Sequence, residues 1–368
     1  QLYSGGGTIA AMDRAEHGVT ADHYDFFDRE QRTLLDAVTA YMDVIFRRAA
    51  IDFNEANVKS LTEQLEAVRA ALEVGERTLT DVAQVESRLA RGKADLADAL
   101  RDLETANANY VKVIGCDPGL IEEPKLLENL PKSKEELIAL AQDADPRVLS
   151  AIYSEKSAKR QIDEDSAGLL PRVELTGKAD RNLQVNGPNT HNNTASAILR
   201  LTVPVIQQGN VWSRSRQRVQ QAAQARHNLD QARKLAREDA IKAWETWVAA
   251  LQRIEHFKAQ VKFSTLSRDG AILEAEVGER SYLDVLDAQT ELLQAQLGLV
   301  QARRDEIVAE YQVLQSMGNL TAQYLQLPVE RYKIEEHYES VRKKVFGWGD
   351  DPKYPAAMQS SHEEVRSS

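Results

Sequence analysis

Val74-Gly75-Glu76-Arg77-Thr78-Leu79-Thr80-Asp81-Val82 and Val277-Gly278-Glu279-Arg280-Ser281-Tyr282-Leu283-Asp284-Val285 are one segment written twice, 203 residues apart (277 − 74). In each, Val-Gly-Glu-Arg interrupts an otherwise helical pattern, with a glycine able to take the positive φ that ends a helix. Thr78-x-x-Asp81 and Ser281-x-x-Asp284 follow at once, the spacing of a capping box that starts a new helix. Each copy therefore reads as helix, tight turn, returning helix, with tips at 74–78 and 277–281.

The repetition extends outward from the tips. Ala37-Val38 and Ala40-Tyr41 return as Ala240-Ile241 and Ala243-Trp244, and Gly115 returns as Gly318, all at the same shift. No net insertion separates these pairs, so the two copies have equal element lengths. Residues 19–74 and 210–269 contain neither glycine nor proline. Such stretches read as continuous helices, about 90 Å long at 1.5 Å per residue. Val58, Leu61, Leu65, Val68 and Leu72 step by 3, 4, 3 and 4, and Ala288, Ala295 and Ala302 step by seven. Those are coiled-coil spacings, and alanine at a seam lets helices approach closely.

Between the copies the period falls to two. From Pro171 to Asp180 one face carries Val173, Leu175, Gly177 and Ala179, and the other carries Arg172, Glu174, Thr176, Lys178 and Asp180. After a loop at Asn186–Thr194 comes a second strand with Ala197, Leu199, Leu201, Val203 and Val205 on one face, and Pro204 near its end. Ten or so tilted residues per strand cross a bilayer. Four prolines between 118 and 146 surround short helices near 133–143 and 147–166, which read as an appendage on the long helices. A second appendage is expected at 320–345 and a disordered tail at 346–368, where Gly-Trp-Gly-Asp-Asp-Pro gives way to serine and glutamate.

Composition narrows the function classes. A net charge of −11 with no clustered excess of Lys and Arg argues against a nucleic-acid partner. No run of about 18 apolar residues exists, which excludes a transmembrane helix but not a barrel. The lone cysteine, Cys116, rules out an internal disulfide and reads as a small buried residue. Gly5-Gly6-Gly7-Thr8 lacks the lysine of a phosphate loop, the seven histidines show no ligand spacing, and no nucleophile and base stand at interpretable spacing. No metal, cofactor or catalytic role is expected. The opening Gln-Leu-Tyr-Ser-Gly-Gly-Gly shows no signal peptide.

Alternating strands feeding tandem helical hairpins resemble the TolC family of outer-membrane efflux and secretion ducts. The strand ends Leu2-Tyr-Ser-Gly-Gly6 and Ile206-Gln-Gln-Gly-Asn210, the doubled Val-Gly-x-Arg tips, and Ser281-Tyr-Leu-Asp284-Val-Leu-Asp287-Ala288 carry the resemblance over residues 1 to about 335. It implies a mainly α fold with a small β part: long antiparallel coiled-coil hairpins in tandem, plus strands contributing to a trimeric, twelve-stranded outer-membrane barrel. The expected organisation is a first repeat (1–117), an equatorial appendage (118–170), a β-hairpin of the barrel (171–208), a second repeat (209–319), a C-terminal equatorial segment (320–345) and the tail (346–368). Relative to the family, a signal peptide, first helices and first strand are expected ahead of residue 1.

By the same resemblance, Asp284 and Asp287 form an acidic pore constriction, six carboxylates from three subunits; read alone, they are first-turn acids favoured by the helix dipole. Thr80 and Asp81 are expected to meet Arg280 in a gate, with Ala275 where the family often has tyrosine. Val74, Gly75, Arg77, Val277, Gly278 and Arg280 match the tips that receive a periplasmic adaptor (membrane fusion protein), itself coupled to an inner-membrane pump. Tyr3 and Trp212 suit an aromatic belt against outer-membrane lipid. The expected function is a passive exit duct for drugs or proteins, in efflux or type I secretion, from a Gram-negative cell. A soluble periplasmic coiled-coil adaptor or scaffold is the alternative, and it leaves the alternating strands unexplained.

Overall fold

In the computed structural model, which describes residues 2–122, 124, 126–127, 130–183, 191–206, 208–329 and 334–342, the order is α1 (Gly7–Glu73), α2 (Leu79–Ile114), α3 (Lys134–Ala144), α4 (Pro146–Ser166), β1 (Arg172–Leu183), β2 (His191–Thr202), α5 (Asn210–Glu276), α6 (Tyr282–Ser316) and α7 (Ile334–Arg342). The chain divides into two units, residues 1–325 and 326–368. The expected 320–345 segment is thus shared between them, and the tail expected at 346–368 lies outside the described residues. Of the second unit the structure describes α7, where Arg342 pairs with Glu339 one turn earlier at 3.8 Å.

The sequence repeat is reproduced in the rods. α1 and α5 each contain 67 residues, about 100 Å of helix. They begin at 7 and 210 and end at 73 and 276, both at the shift of 203. α1 starts earlier than its glycine-free stretch suggested, at 7 rather than 19, whereas α5 starts where its stretch does, at 210; each follows a left-handed pair of residues, Gly5 and Gly6 at φ 65 and 84, Gln208 and Gly209 at φ 51 and 75. That pair turns an extended chain sharply into a helix.

The two long hairpins pack differently. α1 and α2 close around Leu61, Leu65, Val68, Val82, Val85 and Leu89, so the 3-4 spacing is a seam. Near the other tip α5 and α6 meet through Ala271, Ala275, Val285 and Ala288, with Ala295 and Ala302 buried further along. Small side chains there trade buried area for close approach. α3 lays Leu137 and Ala141 against Ala240, Ala243, Val313 and Met317. α4 contacts both α1 and α5, seating Val148 against Leu229 and Ala236. At the start of α4, buried Asp145 caps the helix by accepting from the Arg147 backbone N–H at 2.8 Å, and the Arg147 guanidinium spans Asp145 and Asp239 at 2.7 and 2.9 Å.

β1 and β2 form an antiparallel hairpin in which Val173 faces Leu201, Leu175 faces Leu199, Gly177 faces Ala197 and Ala179 faces Ala195. The opposite face pairs Glu174 with Arg200 and Lys178 with Ser196. One face is apolar and the other polar except for Ile198 opposite Thr176, and Leu175, Leu199 and Leu201 are exposed in the single chain. β2 begins at His191, inside the expected loop, because the ladder continues through Asp180↔Thr194 to Leu183↔His191. It stops at Thr202 rather than running on to Val205, since Pro204 has no N–H to donate. Tyr3 pairs with Val173 and adds a short third extended segment. Cys116, read as buried, is exposed, because Gly115 at φ 91 ends α2 and turns the chain out of the packed rods.

Gly318, with φ +75, lies where an added Cβ would stand 2.3 Å from the Ala144 carbonyl oxygen, whereas Gly75, with φ +78, has open space. Both substitutions strain the backbone, but only Gly318→Ala also collides with main chain. Gly318→Ala is expected to cost about 2–4 kcal/mol and Gly75→Ala about 1–2 kcal/mol, compared by thermal unfolding followed by circular dichroism.

Buried Glu310 accepts from the Leu127 backbone N–H at 3.1 Å. Burial raises its carboxyl pKa, with that N–H opposing. A raised folded-state pKa means that the contribution of Glu310 is full below about pH 4.3 and is lost as pH rises through the folded value. Glu310→Gln keeps an acceptor without the charge. Its urea midpoint should exceed wild type at pH 8, with the difference shrinking towards pH 4.

Candidate functional site at the hairpin tips

Both tips are built by the same backbone closure. The N–H of Glu76 bonds the Ala71 carbonyl and that of Glu279 bonds the Glu274 carbonyl, each at 2.9 Å, with Gly75 and Gly278 left-handed at φ 78 and 82. The closure pushes Val74 and Val277 outward, each 72% exposed. Two equivalent apolar knobs, each beside a bare glycine, are thus held at the end of rigid helices. Arg77 and Arg280 stand beside them.

The two copies part company one turn later. Thr78 and Asp81 form a reciprocal capping box: Thr78 N–H donates to Asp81 Oδ2 at 2.9 Å and Asp81 N–H donates to Thr78 Oγ1 at 3.3 Å. The Thr78 backbone N–H, then its hydroxyl, hold the Asp81 carboxyl below the ordinary carboxylate range. Ser281 instead caps α6 alone, accepting from Leu283 N–H at 3.1 Å, without the reciprocal half expected from Ser281-x-x-Asp284. The Asp284 carboxylate is thereby released to the surface, where it is 51% exposed and 3.9 Å from Arg280. One acid is consumed by structure, and its copy is free to act electrostatically.

The expected gate is not assembled within one chain. Arg280 sits 3.3 Å from Glu274 and 3.9 Å from Asp284 of its own hairpin, while Asp81 serves its own cap. Nearer carboxylates outcompete the distant one, and Thr80 is exposed beside the turn. Ala275 lies in the α5–α6 seam against Val285 and Ala288.

Other residues join the hairpins. Leu286, 2% exposed, inserts from α6 into the core of the first hairpin. The Arg77 guanidinium lies 5.6 Å from the centre of the Tyr282 ring, a cation–π contact between the tips. Burial raises the Tyr282 hydroxyl pKa, with Arg77 opposing. Arg88 of α2 pairs with Asp287 and donates to Thr290 Oγ1 at 3.4 Å. Sequence reading singled out neither Arg88 nor Leu286 nor Tyr282 for function. The sole trace of Arg88 was its place beside the Val85 and Leu89 seam, where a cation borders a helix interface.

Among the described residues no helix is long and apolar enough to cross a membrane, and no three His, Cys, Asp or Glu side chains gather into a metal site. Long rods that carry an amphipathic β-hairpin and end in paired exposed tips define an envelope duct subunit. A sequence profile described as outer membrane efflux protein matches residues 1–116 and 137–319. The chain is 35% identical over 347 residues to the outer membrane efflux protein BepC of Brucella suis, covering 94% of this chain and 76% of that protein. It is 26% identical to the outer membrane protein TolC of Vibrio cholerae, covering 85% and 74% respectively. In structure it is similar to the Campylobacter jejuni CmeC outer membrane channel, with a TM-score of 0.77 and 15% identity over 92% of this chain and 72% of that one.

The chain belongs to the outer membrane efflux protein family. It is a channel subunit of efflux or type I secretion, located in the outer membrane of a Gram-negative cell, and its family is one of channels rather than enzymes. The adaptor-or-scaffold alternative falls with this.

Proposed function

We propose that three copies of this chain close one barrel and one periplasmic tunnel, forming a passive exit duct for drugs or proteins. The β1–β2 hairpin carries this reading. Its apolar face is exposed in the single chain, and a ribbon of two strands plus the Tyr3 bridge falls short of the roughly eight strands of the smallest closed barrel. Other copies supply the remaining strands, and outer-membrane lipid covers the apolar face. Tyr3 and Trp212, both exposed, stand at the strand-to-helix junctions where an aromatic belt meets the membrane surface.

At the far end of the rods Asp284 and Asp287 form the constriction, where three-fold repetition concentrates negative charge and favours cations. The knobs Val74 and Val277, with Gly75 and Gly278, offer equivalent seats for the periplasmic adaptor, and Arg77 and Arg280 add positive charge beside them. The adaptor links the duct to an inner-membrane pump that selects the cargo.

In planar bilayers the detergent-extracted protein is expected to form a cation-selective pore whose selectivity collapses in Asp284→Asn/Asp287→Asn. Failure to form any pore counts against the duct. In cells, Arg77→Glu/Arg280→Glu should weaken crosslinking to the cognate adaptor severalfold, since it places like charge at both seats; undiminished crosslinking would sink the tip assignment.

A further inference from the structure

Resting on the duct reading, we propose that Arg88 is a selectivity-determining residue: it neutralises Asp287 inside each subunit and leaves Asp284 as the carboxylate that passing ions meet. The two acids lie one turn apart on α6, yet their surroundings differ. Arg88 Nη2 pairs with Asp287 Oδ1 while Nη1 donates to Thr290 Oγ1 at 3.4 Å, so the guanidinium fork engages two acceptors on α6. The Thr290 hydroxyl spends its own proton on the Leu286 carbonyl at 2.9 Å, which leaves its oxygen free to accept from Arg88.

The pair bridges α2 and α6 across 199 residues of chain, and its spacing is set by neighbours it does not control. Leu286, next to Asp287, is buried among Val82, Val85 and Leu89, the residues that flank Arg88 on α2. The packed leucine fixes the distance over which the arginine reaches. Asp284 has no such partner: Arg280, the cation beside it, is 3.9 Å away and closer to Glu274 at 3.3 Å. Two carboxylates there share one guanidinium. Around Asp287 charge is balanced; around Asp284 one negative charge per subunit is left over.

A ring of three uncompensated carboxylates therefore sets the field at the constriction, with three more held in reserve behind Arg88. Removing the arginine releases them. Although Asp287 is 65% exposed, a cation held in contact turns its long-range field into that of a short dipole.

The test is a double-mutant cycle on the full chain in planar bilayers, reading the ratio of potassium to chloride permeability from reversal potentials in a potassium chloride gradient. Asp284→Asn should lower the ratio about three-fold or more, and Asp287→Asn should also lower it, because it leaves the Arg88 cation unpaired. Arg88→Gln should raise the ratio roughly two-fold, and Arg88→Gln/Asp287→Asn should abolish that rise. Return of the double variant towards wild type also shows that loss of Arg88 leaves the pore folded. A conducting, cation-selective pore in which Arg88→Gln leaves the ratio unchanged or lowers it, or in which Arg88→Gln/Asp287→Asn departs from wild type as far as Asp284→Asn does, overturns the role of Arg88 and leaves the duct standing. A wild-type protein without a cation-selective pore overturns the duct reading itself, and the selectivity role with it.

Discussion

A 67-residue helix is stiff along its axis, and α1 and α5 each tie a β segment at one end to a tip at the other. Any change in the length of one rod displaces its tip by about 1.5 Å per residue and rotates it by about 100°. The remaining features depend on this register. It accounts for the matching left-handed starts at Gly6 and Gly209, the matching closures at Gly75 and Gly278, and the matching stops at Gly115 and Gly318. Equal length places both valine knobs at corresponding positions on the two hairpins.

Within that frame the two copies have diverged where chemistry requires it. The first hairpin keeps a leucine and valine seam near its tip and spends Asp81 on its cap. The second uses an alanine seam and caps α6 with Ser281 alone, which frees Asp284. Contacts that join the hairpins are of unequal kind. Leu286 contributes by burial, on the order of 2–5 kcal/mol for loss of a fully packed leucine, whereas exposed ion pairs such as Arg88–Asp287 contribute about 0–1 kcal/mol. Packing therefore sets the geometry, and the ion pairs adjust charge with little effect on stability.

Near the middle of the rods two buried carboxylates are held by hydrogen bonds. Asp145 is buried with Arg147, whose pKa is raised by the Asp145 hydrogen bonds, and Glu310 is buried against the Leu127 backbone. These groups tie α4 and Leu127 to the long helices.

The rods, their turns and the two-period β-hairpin were legible in sequence because each is governed by contacts near in the chain: glycine at positive φ, the 3-4 spacing of Leu61, Leu65 and Val68, and the alternation from Val173 to Ala179. Strand ends were misjudged where pairing prolonged the ladder to His191 and a missing N–H at Pro204 cut it short. The state of each tip side chain was not legible. Thr78-x-x-Asp81 and Ser281-x-x-Asp284 are the same pattern, yet one closes a box and the other does not. The partner of Asp287 lies on another helix, 199 residues away. By itself the sequence determined element type, length and repetition, since backbone propensity and hydrophobic period act locally. Which carboxylate is paired across the hairpins was decided by tertiary structure alone, because that pairing is a matter of a few ångströms between groups that only packing brings together.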